Sequence, residues 1–174
     1  MTIAANVTGV HRCLIITGMS GAGKSTALNI LEDQGLFAVD NIPPALLPQL
    51  LGLLVNHRAA VQEGLATVVD IRGERLLNDL FSVVDMLKES HYQVQVLFLD
   101  ASDESLIRRF ETTRRRHPLG DHIPVLEGIQ RERELLSPVR AYADVVIDTS
   151  NMTLKELKER LTTEFIRTIA AFSV

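Results

Sequence analysis

A chain of 174 residues, 46% of them hydrophobic, carries enough apolar side chain for one well-buried domain and too little for two of ordinary size. Its net charge of −4 and pI near 5.7 weigh against a general nucleic-acid binder, whose hold on phosphate backbones needs clustered positive charge. A single cysteine, Cys13, excludes an internal disulfide framework, and no apolar run reaches the roughly 18 residues of a membrane-crossing helix, so a cytoplasmic chain with no membrane partner is expected.

Residues 1–11 lack the charged start and long apolar core of a signal peptide and read as a flexible lead-in, with the domain expected over 12–174. The first strand is predicted at Arg12–Thr17. Directly after it, Gly18-Met19-Ser20-Gly21-Ala22-Gly23-Lys24-Ser25 fits G-x-x-x-x-G-K-[ST], and a helix is predicted over Lys24–Gln34, closed by Gly35. The strand before and the helix after are the context the motif requires. Glycines let successive N–H groups turn toward phosphate oxygens, and the helix N-terminus adds partial positive charge. Lys24 is expected to reach the β- and γ-phosphates, and Ser25 to offer its hydroxyl to Mg²⁺.

A second strand is predicted at Leu36–Asp40, ended by Asn41 and a Pro-Pro pair, then a helix at Pro44–His57 and a third strand at Ala66–Ile71. Asp70, at the end of that third apolar run, is the expected second support for the metal. Arg72, two residues on, has the fork geometry to meet phosphate bidentately. A helix follows at Glu74–Ser90, whose apolar stripe reads as packing, and a fourth strand at Gln93–Asp100. Asp100 precedes Ser-Asp-Glu, a helix-capping start, and is the second choice for the metal acid.

The next helix, Asp103–Arg116, crowds Arg108, Arg109, Arg114, Arg115 and Arg116 together before a break at Pro118 and Gly120. Such a cationic helix end reads either as a solvated face or as a lid that closes over phosphates, with Arg115 and Arg116 the candidates to reach the departing one. His117 has no His or Cys at ligand spacing and carries no metal claim. Helices at Val125–Leu136 and from Thr153 onward flank a fifth strand at Asp144–Asp148. Strand-length apolar runs alternating with helical spacing predict an α/β fold, a five-stranded parallel sheet flanked by helices of the P-loop NTPase kind, with an Arg-rich lid as in kinases. Ligands gather at the strands' C-terminal ends in such sheets.

The blocks "GMSGAGKS", "LFAVDNIPPALLPQL", "VVDIRG", "VLFLDASDESLIRRFETTRRRHPL" and "ELLSPVRAYADVVIDTS" together resemble the RapZ/YvcJ family of P-loop nucleotide-binding proteins. The Walker loop is generic, whereas the Asp-Asn-Ile-Pro-Pro and Arg-Arg-Arg-His-Pro-Leu blocks are far more specific. The resemblance implies binding and hydrolysis of ATP and GTP, and it places the family's second nucleotide-binding signature on Asp70, Ile71, Arg72 and Gly73. It also implies a further C-terminal domain, to which RNA and amino-sugar-phosphate sensing by an RNase adapter belongs in the best-known branch. The chain ends near Val174 and so resembles the N-terminal, nucleotide-binding half. Gly73 stands where some relatives have Asn, a departure that touches local contacts only.

The residues therefore favour a regulatory protein that binds ATP or GTP with Mg²⁺, turns it over slowly, and acts through a C-terminal domain or a partner, RNA or protein. A small-molecule or nucleotide kinase of the adenylate-kinase-like type is the alternative, disfavoured because Arg58 is the lone arginine between Asp40 and Ala66 where an acceptor would be held. A G-protein switch is weakened by the lack of an Asn-Lys-x-Asp stretch to select guanine. The oligomeric state is open, a homo-oligomer included.

Overall fold

The computed structural model describes residues 12–55, 64–113 and 124–166. Strand β1 (Arg12–Gly18) is buried along its whole length, as its unbroken Cys-Leu-Ile-Ile run demands, because an apolar strand without a polar face is stable only when covered on both sides. It sits at the centre of a five-stranded parallel sheet of order β2-β3-β1-β4-β5, where β2 is Phe37–Val39, β3 Leu65–Val68, β4 Gln93–Asp100 and β5 Val145–Asp148. From β1 the chain builds one flank of the sheet and then crosses to the other, so the C-terminal end of β1 lies at the point of reversal where such sheets leave a crevice.

Six α-helices cover the described sheet: α1 (Lys24–Asp33), α2 (Leu47–Val55), α3 (Glu74–Glu89), α4 (Asp103–Thr113), α5 (Val125–Tyr142) and α6 (Leu154–Leu161). Helix α1 packs with α6, and α3 packs with α2 and α5, burying the core around Ile15, Leu31, Leu80, Phe98 and Ile129. Cys13 lies in this core, its thiol pushed up to about 12 by burial.

The five predicted strands and their parallel arrangement are present, with shifted ends. The third stops at Val68 rather than Ile71: Val69 still donates to Ile16 O at 2.9 Å, but the chain then leaves the ladder and Ile71 turns into the core. The helix expected from Pro44 opens as a 3-10 turn, Pro44–Leu46, with Leu46 N donating to Pro43 O at 3.0 Å, before α2 begins. Helix α5 runs on to Tyr142, past the expected end at Leu136. Pro138 removes one helical N–H, yet Val139 is fully buried beyond it and anchors the continuation. Helix α6 starts at an N-cap in which Glu156 N donates to Thr153 Oγ1 at 3.2 Å, and a π turn, Thr162–Ile166, follows it. The 1–11 lead-in, Arg114, Arg115, Arg116, His117 and the Pro118–Gly120 break lie outside the described residues, so the expected lid does too. No helix among the described residues is long and apolar enough to cross a membrane.

Candidate functional site

The loop after β1 is shaped by two glycines. A Cβ on Gly18, at φ +143°, would stand 2.1 Å from Leu99 O of β4, and that closeness lets Met19 N donate to the same oxygen at 3.0 Å. Gly23 is left-handed, φ 108° and ψ 23°, and forms the N-cap of α1 without a side-chain cap. With no acidic residue in the first turn either, the leading N–H groups of α1 face outward toward whatever anion the loop receives. The side chains of Met19 and Ala22 are buried, so these two positions present only backbone to the loop's interior.

Lys24 folds back over this loop, its Nζ donating to Gly18 O at 3.0 Å and Met19 O at 3.2 Å. Burial pulls its amine below the ordinary lysine value, against the raising effect of the nearby Asp70, Glu132 and Asp40 charges. A half-buried cation set among three acids is well placed to exchange its carbonyl partners for phosphate oxygens.

Two cavities flank the loop. The larger, about 680 Å³, is lined by Ser20, Gly21, Gly23, Lys24, Ser25 and Thr26, by Asp40 and Asn41 after β2, by Asp70 and Arg72 after β3, and by Arg109 and Phe110 of α4. The smaller, about 270 Å³, is lined by Gly21 to Gly23, Thr26 and Arg109 and by Thr149, Met152, Thr153, Leu154 and Leu157 at the β5–α6 junction. The larger carries charged side chains of both signs, Asp40 and Asp70 with Lys24, Arg72 and Arg109; the lining of the smaller is uncharged apart from Arg109.

Within the larger cleft, Asp70 pairs with Arg72, which donates to Oδ2 from Nε at 3.0 Å and Nη2 at 2.9 Å. The expected phosphate-binding arginine thus rests on the expected metal-supporting acid. Among the described residues no hydrogen bond falls on Asp70 Oδ1, which with the exposed Ser25 hydroxyl offers two oxygens to one cleft. That donor set fits Mg²⁺, which takes one or two protein oxygens and completes its shell with phosphate and water, and the described residues hold no dedicated cluster of three ligating His, Cys, Asp or Glu. Of the remaining signature residues, Ile71 is buried in the core and Gly73 is the extended N-cap of α3; neither lines the cleft.

Asp100 has other work. Its buried carboxylate accepts from Ala101 N at 2.7 Å, Arg133 Nη1 at 2.8 Å and Arg140 Nε at 3.1 Å, which clamps α5 to the end of β4. The capping start read after it is present, with Ser105 N donating to Ser102 Oγ at 3.2 Å.

Two loop contacts escaped the sequence reading. Arg109 spans the cavities, its Nη1 donating to Gly21 O at 2.9 Å and its Nη2 to Thr149 O at 2.7 Å, while Thr149 Oγ1 donates to Ala22 O at 2.7 Å. Glu132, only 5% exposed, accepts from Ser20 N at 2.8 Å and from Ser20 Oγ at 2.6 Å. The signal for it was present: Gly128, Ile129, Glu132, Leu136 and Val139 share the buried face of α5, and an acid on an apolar stripe requires a specific donor.

Comparisons agree with this architecture. A family model described as the RapZ-like N-terminal domain matches residues 12–168. A nucleotide-binding protein of Caldanaerobacter subterraneus subsp. tengcongensis is 46% identical over 156 residues, covering 90% of this chain and 54% of its own length. One of Desulforamulus reducens is 50% identical over 154 residues, covering 88% and 51%. The chain thus spans about half the length of the curated relatives it matches. Among solved structures, a shikimate kinase from Acinetobacter baumannii in complex with shikimate superposes with a TM-score of 0.59 at 16% identity over 93% of this chain and 94% of that one. A gluconokinase from Sinorhizobium meliloti 1021 does so with 0.58 at 18% identity, over 95% and 99%. At these identities the likeness is one of fold.

Proposed function

The chain belongs to the RapZ-like N-terminal domain family, and on that premise we propose that it binds ATP or GTP with Mg²⁺ and hydrolyses it slowly, as a regulatory module. The observation that carries the reading is the loop Gly18–Ser25, seated between a cleft lined by charged side chains of both signs and a smaller cavity with Met152, Leu154 and Leu157, at the reversal point of the sheet. Phosphates held by the loop leave the nucleotide two directions. A flat apolar base is suited by the cavity of Met152, Leu154 and Leu157, with the Arg109 guanidinium across it. The terminal phosphate then points into the cleft of Lys24, Ser25 and Asp70.

Each side chain has a derivable task. Lys24 neutralises charge on the outer phosphates, Ser25 and Asp70 would hold Mg²⁺, and Arg72, released from Asp70, is within the same cleft to meet a phosphate. Bound there, the ion would offset negative charge as the terminal phosphoryl group departs. Met19 N–H is held by Leu99 O and Ala22 N–H by Met19 O, so of the loop positions Gly21 and Gly23 would contribute the backbone N–H groups. Arg115 and Arg116 stay the candidates to reach the departing phosphate. Occupancy would be passed to the C-terminal part implied by the relatives' length, or to a protein or RNA partner.

The size of the larger cleft keeps a kinase reading in play, since it extends past the loop to Asp40 and Asn41. Phosphate release with ATP and with GTP, alone and against a panel of hydroxyl acceptors, separates the two. Slow acceptor-independent release supports the regulatory module; acceptor-dependent diphosphate formation refutes it.

A further inference from the structure

A carboxylate is an unexpected occupant of a phosphate-binding loop. Glu132 is almost fully buried, and both of its oxygens are taken up by one residue, Ser20, through N–H and hydroxyl at 2.8 and 2.6 Å. Ser20 lines the larger cleft, with Lys24, Ser25 and Asp70, and is absent from the lining of the smaller cavity, so it marks the end of the loop where a terminal phosphate would lie. The same acid is among the charges that raise the Lys24 pKa, which places it in the loop's own field.

We propose that Glu132 determines which phosphate-chain length the loop accepts: a diphosphate seats with Glu132 still bound to Ser20, whereas a triphosphate must displace that carboxylate. The inference rests on the nucleotide reading above. Its physical ground is that two anions compete for one donor pair and repel each other across a site of low dielectric. An N–H has one hydrogen to give, and the carboxylate already holds it. Displacement also has a path outward. Arg133, the next residue of α5, donates to Asp103 Oδ1 at 2.7 Å and to Ala101 O at 2.9 Å, so withdrawal of Glu132 disturbs the ties between α5 and the start of α4.

Glu132→Gln tests the charge alone, because an amide keeps the length, accepts from Ser20 N–H and donates to Ser20 Oγ. Dissociation constants for Mg-ADP and for a non-hydrolysable Mg-ATP analogue are measured by calorimetric titration on the full chain, wild type and variant. The expected result is about tenfold tighter triphosphate binding in the variant, about 1.4 kcal/mol, with diphosphate binding changed less than about twofold. Hydrogen exchange over residues 125–142 should rise on triphosphate binding to wild type and not on diphosphate binding. If both nucleotides shift by the same factor, or neither shifts, Glu132 is a brace for the loop and the inference is overturned. If wild type binds neither nucleotide, the nucleotide reading itself falls and takes this inference with it. Should Glu132→Gln fail to fold by circular dichroism, Ser20→Ala decides: it removes one of the two donors, and a gain confined to the triphosphate supports the proposal while an equal change refutes it.

Discussion

Replacing Lys24 with alanine separates the loop's role in ligand binding from its role in the fold. In the ligand-free protein the lysine makes two hydrogen bonds, to Gly18 O and Met19 O, worth about 1 kcal/mol each. Against them stands the burial that lowers its pKa. A base with a lowered folded pKa holds its proton less tightly than the unfolded chain does, so charged Lys24 costs stability at neutral pH, a cost relieved only as pH rises through the lowered value toward 10.5. The two effects oppose each other, and Lys24→Ala should unfold within about 1 kcal/mol of wild type without nucleotide. With nucleotide the two proteins diverge. At a free ligand concentration of about 100 times Kd, binding stabilises wild type by about 2.7 kcal/mol, a Tm rise of roughly 5–11 °C for a domain of this size. A lost charge-assisted contact of about 1.5–3 kcal/mol weakens binding roughly 10- to 150-fold. At about 100-fold, the ligand sits near its new Kd and stabilises by about 0.4 kcal/mol, a rise of only about 1–2 °C. Thermal melts with and without Mg-ATP and Mg-GTP measure this directly. Equal shifts in the two proteins would show that the loop does not hold the phosphates.

Asp70→Asn should lower nucleotide affinity in the presence of Mg²⁺ by more than in EDTA, because the amide keeps the shape but not the charge; equal losses by calorimetry would make Asp70 a support for Arg72 alone. Gly18→Ala should destabilise by about 3–5 kcal/mol in urea unfolding, since a Cβ 2.1 Å from Leu99 O adds a backbone collision to a strained φ, whereas Gly73→Ala, with nothing within 4 Å and an extended φ of −173°, should stay within about 0.5 kcal/mol and bind nucleotide as wild type does. Ser150→Ala removes the hydroxyl that, with the Ser150 N–H, holds the Asp148 pKa down. A lowered carboxylate stabilises above its ordinary value of 3.8 and loses that contribution as pH falls through the lowered one, so the gap between the urea midpoints of variant and wild type should narrow at acid pH to the part left by the lost Ser102 N–H bond to the same hydroxyl; a gap independent of pH would refute this cause.

The order of elements was legible in the sequence because parallel strands covered on both faces leave continuous apolar runs, and Cys13–Ile16 and Val96–Leu99 can be little else. The loop was legible because its glycines are demanded by backbone geometry, which acts on neighbours in sequence: Gly18 against Leu99 is the single long-range exception, and the motif marks it anyway. Ends were harder to read. Pro138 signals a stop by local rules, but Val139 in the core and Arg140 on Asp100 hold the helix beyond it, and tertiary contact overrides one missing hydrogen bond.

Charged partners were the least legible, since a carboxylate's meaning depends on what the fold brings to it. Asp70 and Asp100 both end apolar strands, and composition alone ranks them almost equally. The structure divides them by neighbours: Asp100 is enclosed by Arg133 and Arg140 from forty residues of chain away or fewer, while Asp70 pairs with Arg72, its one hydrogen-bond donor among the described residues, and opens on the cleft. A carboxylate only 9% exposed that accepts from two arginines and a backbone N–H has little left for a metal, and a more open one paired with an exposed arginine can change partner at small cost, because a solvent-exposed pair is worth at most about 1 kcal/mol. Glu132 follows the same logic in reverse. Its donors are not cations but the loop itself, so anything that fills the loop must first answer to α5.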